Sequence, residues 1–543
     1  MRITALILVC MLLACFDAVA ANTNNSLLTR PCAPLMAPMG PGTVGPEATE
    51  ETIRYIATTF HMINSHGGVK DPQNPSLGLL PFWAGPSNGR DKDGRTIGNR
   101  IKKINPDFLL SNYRNGSYIQ QNCPEEAQEV ESQFPLGIAV WNTRLKLIQD
   151  IGSKDAEIVV TSPEKLPANS SQIYPFKVST ESGRYSKSPR KYVAWLRLDD
   201  EILRIDQATK TDGTIRLKVQ RGYWKTKAVK HTSKSLILMP VYIGSVTAGG
   251  DVALSGVPDN KSPQLGIRYA LLQQDKDYQK WLASKCKRIF EEGYDVAWLD
   301  VSSSALYNNG DAYGNIVPQW DVQQGKELDA STYREYQQMK IDAMFKAFPR
   351  KLFYVNNIKG SVYFTGGEER RLLSGEGGHH PISGGAMENY AIVKDEKDWQ
   401  QVANMTLDFV RNDYDGVAWS KVQKPMDVYH LFAYATYLMA WKPGSGLMFG
   451  GQWIRDNSKP EKFFYYDLGQ PLQTYKTIDQ ASHPSALGIY HREFTKAKVL
   501  VNPTDRKVSN IDLNGKWLDP KTGEWVQQIT LEPMNGTILL KEN

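Results

Sequence analysis

The chain has 543 residues, 41% of them hydrophobic and 22% charged, which excludes a disordered protein and leaves room for two or three folded domains. Its formal charge of +6 is spread thinly, and no Lys/Arg block interleaved with aromatics marks a nucleic-acid groove. The patches at Lys102-Lys103 and Lys225 to Lys234 read as solvated faces, with room for a modest attraction to acidic polysaccharide.

Residues 1–20 have the pattern of a secretory signal: Arg2, an apolar run from Ile3 to Ala14 that is too short to span a membrane, and small residues at Ala18 and Ala20. Cleavage before Cys15 would instead give a bacterial lipoprotein anchored at that residue. Either route takes the mature chain out of the cytoplasm. Residues 21–50 form an extended leader rich in Pro, Gly, Asn and Thr. Beyond the signal only Cys32, Cys123 and Cys286 remain, without the spacings of a zinc site. Cys32 and Cys123 suit a disulfide, and Cys286 a buried thiol within a helix. Six sequons, at Asn24, Asn115, Asn169, Asn260, Asn404 and Asn535, would accept glycans in a eukaryotic host.

Periodicity then predicts a strand over Arg54–His61, a helix over Thr96–Ile104 and a strand over Asp107–Tyr113. Short alternating runs between 155 and 245, among them Glu157–Thr161, Glu201–Ile205 and Ile215–Val219, predict an inserted all-β module. Strand and helix alternate again from Ile267–Leu271. A helix over Tyr278–Glu292 leads to Gly293–Asp300, and a helix over Ala330–Phe348 to Lys351–Asn356. Ala386–Ile392, Asp415–Ser420 and Leu447–Gly451 complete the strands, with helices over Glu396–Phe409 and Met426–Met439. Eight strand units without a dinucleotide-binding glycine fingerprint predict a (β/α)8 TIM barrel over 51–480. The module would lie between its second and third strands. From 481 to 543 short strands, including Ala497–Val501 and Thr537–Leu540, predict a C-terminal β-sandwich.

In such a barrel the chemistry sits at the C-terminal ends of the strands. Asp300 ends the fourth strand, and Glu388 is an ionisable side chain among the apolar neighbours of the sixth, so together they offer the two carboxylates of a glycosidase. His61, Asn112, Asn356, Asn357, Tyr390 and Gln452 stand at or beside other strand ends as candidate sugar-hydroxyl partners. Trp298, Trp441 and Trp453 are candidate stacking platforms. Ser302-Ser303-Ser304 lacks a nucleophile elbow, and the adjacent His379 and His380 lack metal-helix spacing, which makes Gly375–His380 a mobile loop. No metal or organic cofactor is implied.

The strand Gly293–Asp300, the stretch Arg221-Gly222-Tyr223-Trp224-Lys225-Thr226 followed by His231, the turn Tyr466–Pro471 and the run from Arg492 to Pro503 resemble glycoside-hydrolase-like family fifteen. At greater distance the chain is similar to the α-galactosidase and polygalactosaminidase superfamily of TIM barrels. That resemblance implies an Asp nucleophile after strand four, matched by Asp300, and an acid after strand six, matched by Glu388. It implies a secreted retaining glycosidase acting on a poly- or oligosaccharide. Two other functions fit the same pattern: a non-catalytic barrel that binds extracellular glycan, and a polysaccharide lyase using Tyr307 or His61 as base.

Overall fold

The computed structural model describes residues 35–39, 49–65, 68–70, 79–81, 97–118, 124–161, 195–211, 213–241, 245–246, 252–253, 269–300, 317–365, 369–420, 426–451 and 460–542. The signal over 1–20, Cys15, Cys32, Cys123, Tyr307, Gln452 and Trp453 lie outside them. Eight parallel strands close into a barrel: β1 (Leu35–Met39), β2 (Met62–Ser65), β3 (Leu109–Asn115), β4 (Val296–Asp300), β5 (Leu352–Asn356), β6 (Gly384–Glu388), β7 (Gly416–Trp419) and β8 (Leu447–Gly450). β8 closes on β1 through the pairs Leu35↔Phe449 and Met36↔Gly450.

Two of the expected barrel strands are replaced by others. Residues 54–59 belong to helix α1 (Glu50–Thr59), with Thr49 as its N-cap, and its stripe of Ile53, Ile56 and Ala57 is buried at helical spacing. The first strand is instead Leu35–Met39, inside the expected leader. Residues 269–271 join no barrel strand; Ala270 and Leu271 form antiparallel bridges to Tyr118 and Ile138, and Ala270 packs into the core of the insertion. The insertion therefore lies between β3 and β4.

The described residues divide into two compact units, one drawn from 1–64, 89–111 and 384–543, the other from 65–88 and 112–383. In the first, α1 is tied to helix α2 (Ile97–Ile104) by the ion pair Glu50–Arg100 at 2.9 Å. Further along the chain come helix α3 (Pro124–Gln133), α4 (Lys276–Glu291) and α5 (Ala330–Ala347), all in the second unit, then α6 (Glu396–Arg411) and α7 (Met426–Leu438) in the first. Phe449 of β8 turns outward onto Tyr434 and Tyr437 of α7, with ring centroids 5.3 and 5.7 Å away. The C-terminal domain is a five-stranded antiparallel sheet of β9 (Tyr490–Glu493), β10 (Ala497–Asn502), β11 (Val508–Asp519), β12 (Glu524–Leu531) and β13 (Asn535–Leu540) in the order β9-β10-β13-β11-β12. β10 is buried on both faces. One face of the sheet meets α7, where a Cβ on Gly536 would stand 2.7 Å from that of Ala435, and the other curls over Leu500, Ile511, Leu513 and Leu539. Each such aliphatic side chain contributes about 1.5–3 kcal/mol on burial.

In the second unit, Phe353 of β5 packs outward between Phe290 of α4 and Phe345 of α5, at 5.5 and 5.1 Å. The inserted module is an eight-stranded sheet, wider than the expected 155–245: it takes in Val140–Asn142 before that span and the hairpin Trp320–Asp321 and Lys326–Glu327 after it. Its strand Thr214–Gln220 shows why it folds as a half-buried sheet, since Ile215, Leu217 and Val219 are buried and the residues between them exposed. Cys286 of α4 is a buried free thiol whose pKa burial pushes up to about 12.

Candidate active site

Strand alternation decides which side chains enter the barrel. In β4, Ala297 and Leu299 face the helices and Val296, Trp298 and Asp300 the interior; Asp300 stands one rung above the Leu299↔Val355 pair, level with Asn356. Asn356 accordingly donates from Nδ2 to Asp300 Oδ1 at 2.7 Å, and the Tyr113 hydroxyl of β3 donates to Oδ2. The backbone is fixed as well: the Gly116 N–H donates to the Asp300 carbonyl at 2.8 Å. The Gly116 carbonyl in turn accepts from Tyr278 at 2.8 Å and from the buried Lys340 amine at 2.6 Å. Burial drives the Lys340 pKa well below the ordinary lysine value.

In the other unit Glu388 ends β6 level with Trp419 of β7, which is level with Gly450 of β8. A Cβ on Gly450 would meet Met36, Val417 and Trp419, so this rung faces the interior and Glu388 with it. Asp300 and Glu388 are both partly exposed. The residues that follow these strand ends, Asn357, Asn389 and Ala391, hold positive φ of 74°, 61° and 58°. Left-handed backbone at non-glycine residues is costly, and in each unit it occurs just past the end of a barrel strand.

The other sequence candidates divide. Asn112 alternates away from Tyr113 and is buried, so Tyr113 is the residue that reaches the carboxylate. His61 stands at the start of β2, the end opposite the barrel mouth, and is 1% exposed, its Nδ1 taking the Leu35 N–H at 3.2 Å. That position removes it as a sugar ligand and as a lyase base. Trp298 is fully buried and packs on Tyr354, 6.2 Å between centroids, filling the lumen below Asp300. Trp441, 1% exposed, stacks on Phe494, and its carbonyl accepts from Arg492 at 2.7 Å, so it anchors the C-terminal sheet. Tyr390 turns outward to Thr406 of α6 at 3.0 Å, and burial raises its pKa. Asn115 is buried in β3 and holds the Tyr118 N–H, which excludes it as a glycan acceptor.

Gly375–His380 is a held loop. His379 places Nδ1 2.8 Å from Asp342 and Nε2 3.3 Å from Glu335, and His380 stacks on Phe345 at 3.7 Å. Burial works against charge on His379, but the two carboxylates outweigh it and raise its pKa. A cavity of about 520 Å³ opens beside this loop, lined by Arg334, Glu335, Arg371, Glu376 and His379, and it includes neither Asp300 nor Glu388. Among the described residues no three His, Cys, Asp or Glu side chains group as a metal site, and no helix is long and apolar enough to cross a membrane.

No family model matches the chain, and no curated protein does. Solved structures give distant likenesses. A GH31 dextranase of Flavobacterium johnsoniae is 10% identical, with 94% of this chain and 51% of that one covered and a TM-score of 0.36. This chain thus spans about half the length of the dextranase. Eubacterium rectale Amy13B is 10% identical over 94% of both chains, TM-score 0.37, and the trehalose-6-phosphate hydrolase of Bacillus licheniformis 9% identical over 93% of this chain and 98% of that one, TM-score 0.41. The barrel assignment rests on strand pairing and not on these likenesses.

Proposed function

We propose that the protein is a secreted glycoside hydrolase of the glycoside-hydrolase-like family fifteen type, with Asp300 as nucleophile and Glu388 as acid/base. The observation that supports it most is the Asp300 carboxylate, held by Tyr113 and Asn356 at the C-terminal end of the fourth strand of a closed parallel barrel. Two donors, one on each oxygen, fix its direction, which is what attack on an anomeric carbon requires. In this reading Asp300 forms a bond to the anomeric carbon while Glu388 gives its proton to the departing oxygen. Glu388 then takes a proton from water, whose oxygen displaces Asp300. Such a retaining pair calls for carboxyl groups about 5–5.5 Å apart.

The deciding experiment is a polysaccharide screen with the wild type and Asp300→Asn. Turnover is expected from the wild type, with the first product keeping the anomeric configuration by NMR, and none from a variant that still unfolds cooperatively at the wild-type temperature. Full activity in Asp300→Asn would sink the assignment, and inversion would replace the nucleophile role with that of a general base.

A further inference from the structure

The loop 221–231 of the insertion is fixed by a buried ionic clasp. Glu201, fully buried, accepts from Arg221 Nε and Nη2 at 2.7 Å each, from the Gly222 and Val229 amides at 2.9 and 3.1 Å, and faces His231 Nε2 at 2.8 Å. The clasp holds an unusual backbone: Gly222, Trp224 and Lys225 have φ of 58°, 50° and 64°. At the two non-glycine residues this is strain, which persists only where surroundings over-determine it.

What this backbone sets out is a pair of aromatics among lysines. Trp224 meets the buried Trp195 edge-on at 5.3 Å, Tyr223 lies against Trp224 at 5.0 Å with the Arg204 guanidinium 5.7 Å over its ring, and both aromatics are partly exposed. Lys225, Lys227, Lys230 and Lys234 are exposed, and none forms an ion pair among the described residues. The carboxylates around them are engaged elsewhere: Glu201 in the clasp, Asp199 with His231 and Ser235, Asp206 with Arg204, and Asp150 with the Ser233 amide. Five residue steps reach at most about 18 Å, so Lys225 to Lys230 form one patch.

We propose that this loop docks an acidic polysaccharide, Trp224, backed by Tyr223, packing on a pyranose ring while the lysines meet the carboxylates of the chain. A phosphate backbone suits it less well. The planar guanidinium forks that grip phosphates are already committed, Arg204 to Asp206 and Arg221 to Glu201, and the two rings pack on each other instead of splaying as platforms for successive bases. The site is separate from the catalytic reading, so Asp300→Asn should bind as the wild type does.

The test is calorimetric titration of the full chain with polygalacturonate at low salt. Binding is expected, weakening as salt is raised. Lys225→Gln/Lys227→Gln/Lys230→Gln should lose about tenfold or more in affinity, and the control Lys102→Gln/Lys103→Gln should keep it. Tyr223→Ser should lose a part that salt does not remove. No binding, equal binding of neutral dextran, equal loss in the control, or tighter binding of single-stranded DNA would each overturn the proposal. Loss of hydrolysis in Asp300→Asn with docking intact would separate the two assignments.

Discussion

Asp300 is constrained at three atoms: Oδ1 by Asn356, Oδ2 by Tyr113 and the carbonyl by the Gly116 amide. A hydrogen bond to a charged group contributes about 1.5–3 kcal/mol. Tyr113→Phe keeps the ring and removes only the donor, so kcat is expected to fall by about tenfold to a hundredfold while thermal unfolding stays near the wild type. An unchanged kcat would show that Tyr113 does not orient the nucleophile. Asn356 was legible in the sequence because it ends β5 on the rung of Asp300. Tyr113 was obscured because β3 runs on to Asn115 and only one of two adjacent polar residues faces inward, a choice fixed by register. The tryptophans were illegible for a different reason: composition does not separate a lumen filler such as Trp298 from a sugar platform, and burial does.

At the scale of elements, β4 to β8 follow the sequence pattern closely because buried parallel strands read as short apolar runs bounded by helices. The front of the barrel was harder. β1 carries Pro38 within a Pro/Gly-rich segment, β2 has four residues and follows α1 after a short break, and the β-branched residues of α1 imitated a strand. Residues 269–271 were expected in the barrel and bridge to Tyr118 and Ile138 instead, since periodicity describes a strand and not its partner. The clasp of the insertion supports a prediction at this scale. Burial pushes the Glu201 carboxyl up, but the Arg221 and His231 bonds with the Val229 and Gly222 amides outweigh it and bring its pKa to about 2. Glu201→Gln leaves the Arg221 guanidinium buried without its counter-charge, a loss of about 3–5 kcal/mol. Hydrogen exchange over 195–240 should speed up in that variant and remain slow in the C-terminal sheet; uniform protection would show that the clasp does not hold the module together.

Two carboxyls with strongly displaced pKa values, Glu201 and Asp415, lie in different units and respond to acid in opposite senses. Glu201 is depressed in the folded state to about 2, so its stabilisation is complete above its unfolded value and fades as pH falls toward 2. Asp415, at the entry to β7, is raised to about 6, first by burial and then by Asp413. Its folded form binds the proton more tightly, so lowering the pH through 6 toward its unfolded value relieves a penalty. Asp275 and Glu292, both raised by burial, soften the response of the unit that holds Glu201 without the network of bonds that makes Glu201 the larger effect. Limited proteolysis between pH 6 and 3 should therefore open the insertion within 112–383 as the Glu201 bonds are lost, independently of 384–543, where His483 and His491, both lowered first by burial, bring an acid loss of their own. The Glu201→Gln variant should be cut at the insertion already at pH 6, and an insertion that in this variant resists cleavage down to the same pH as in the wild type would show that Glu201 does not set its acid limit.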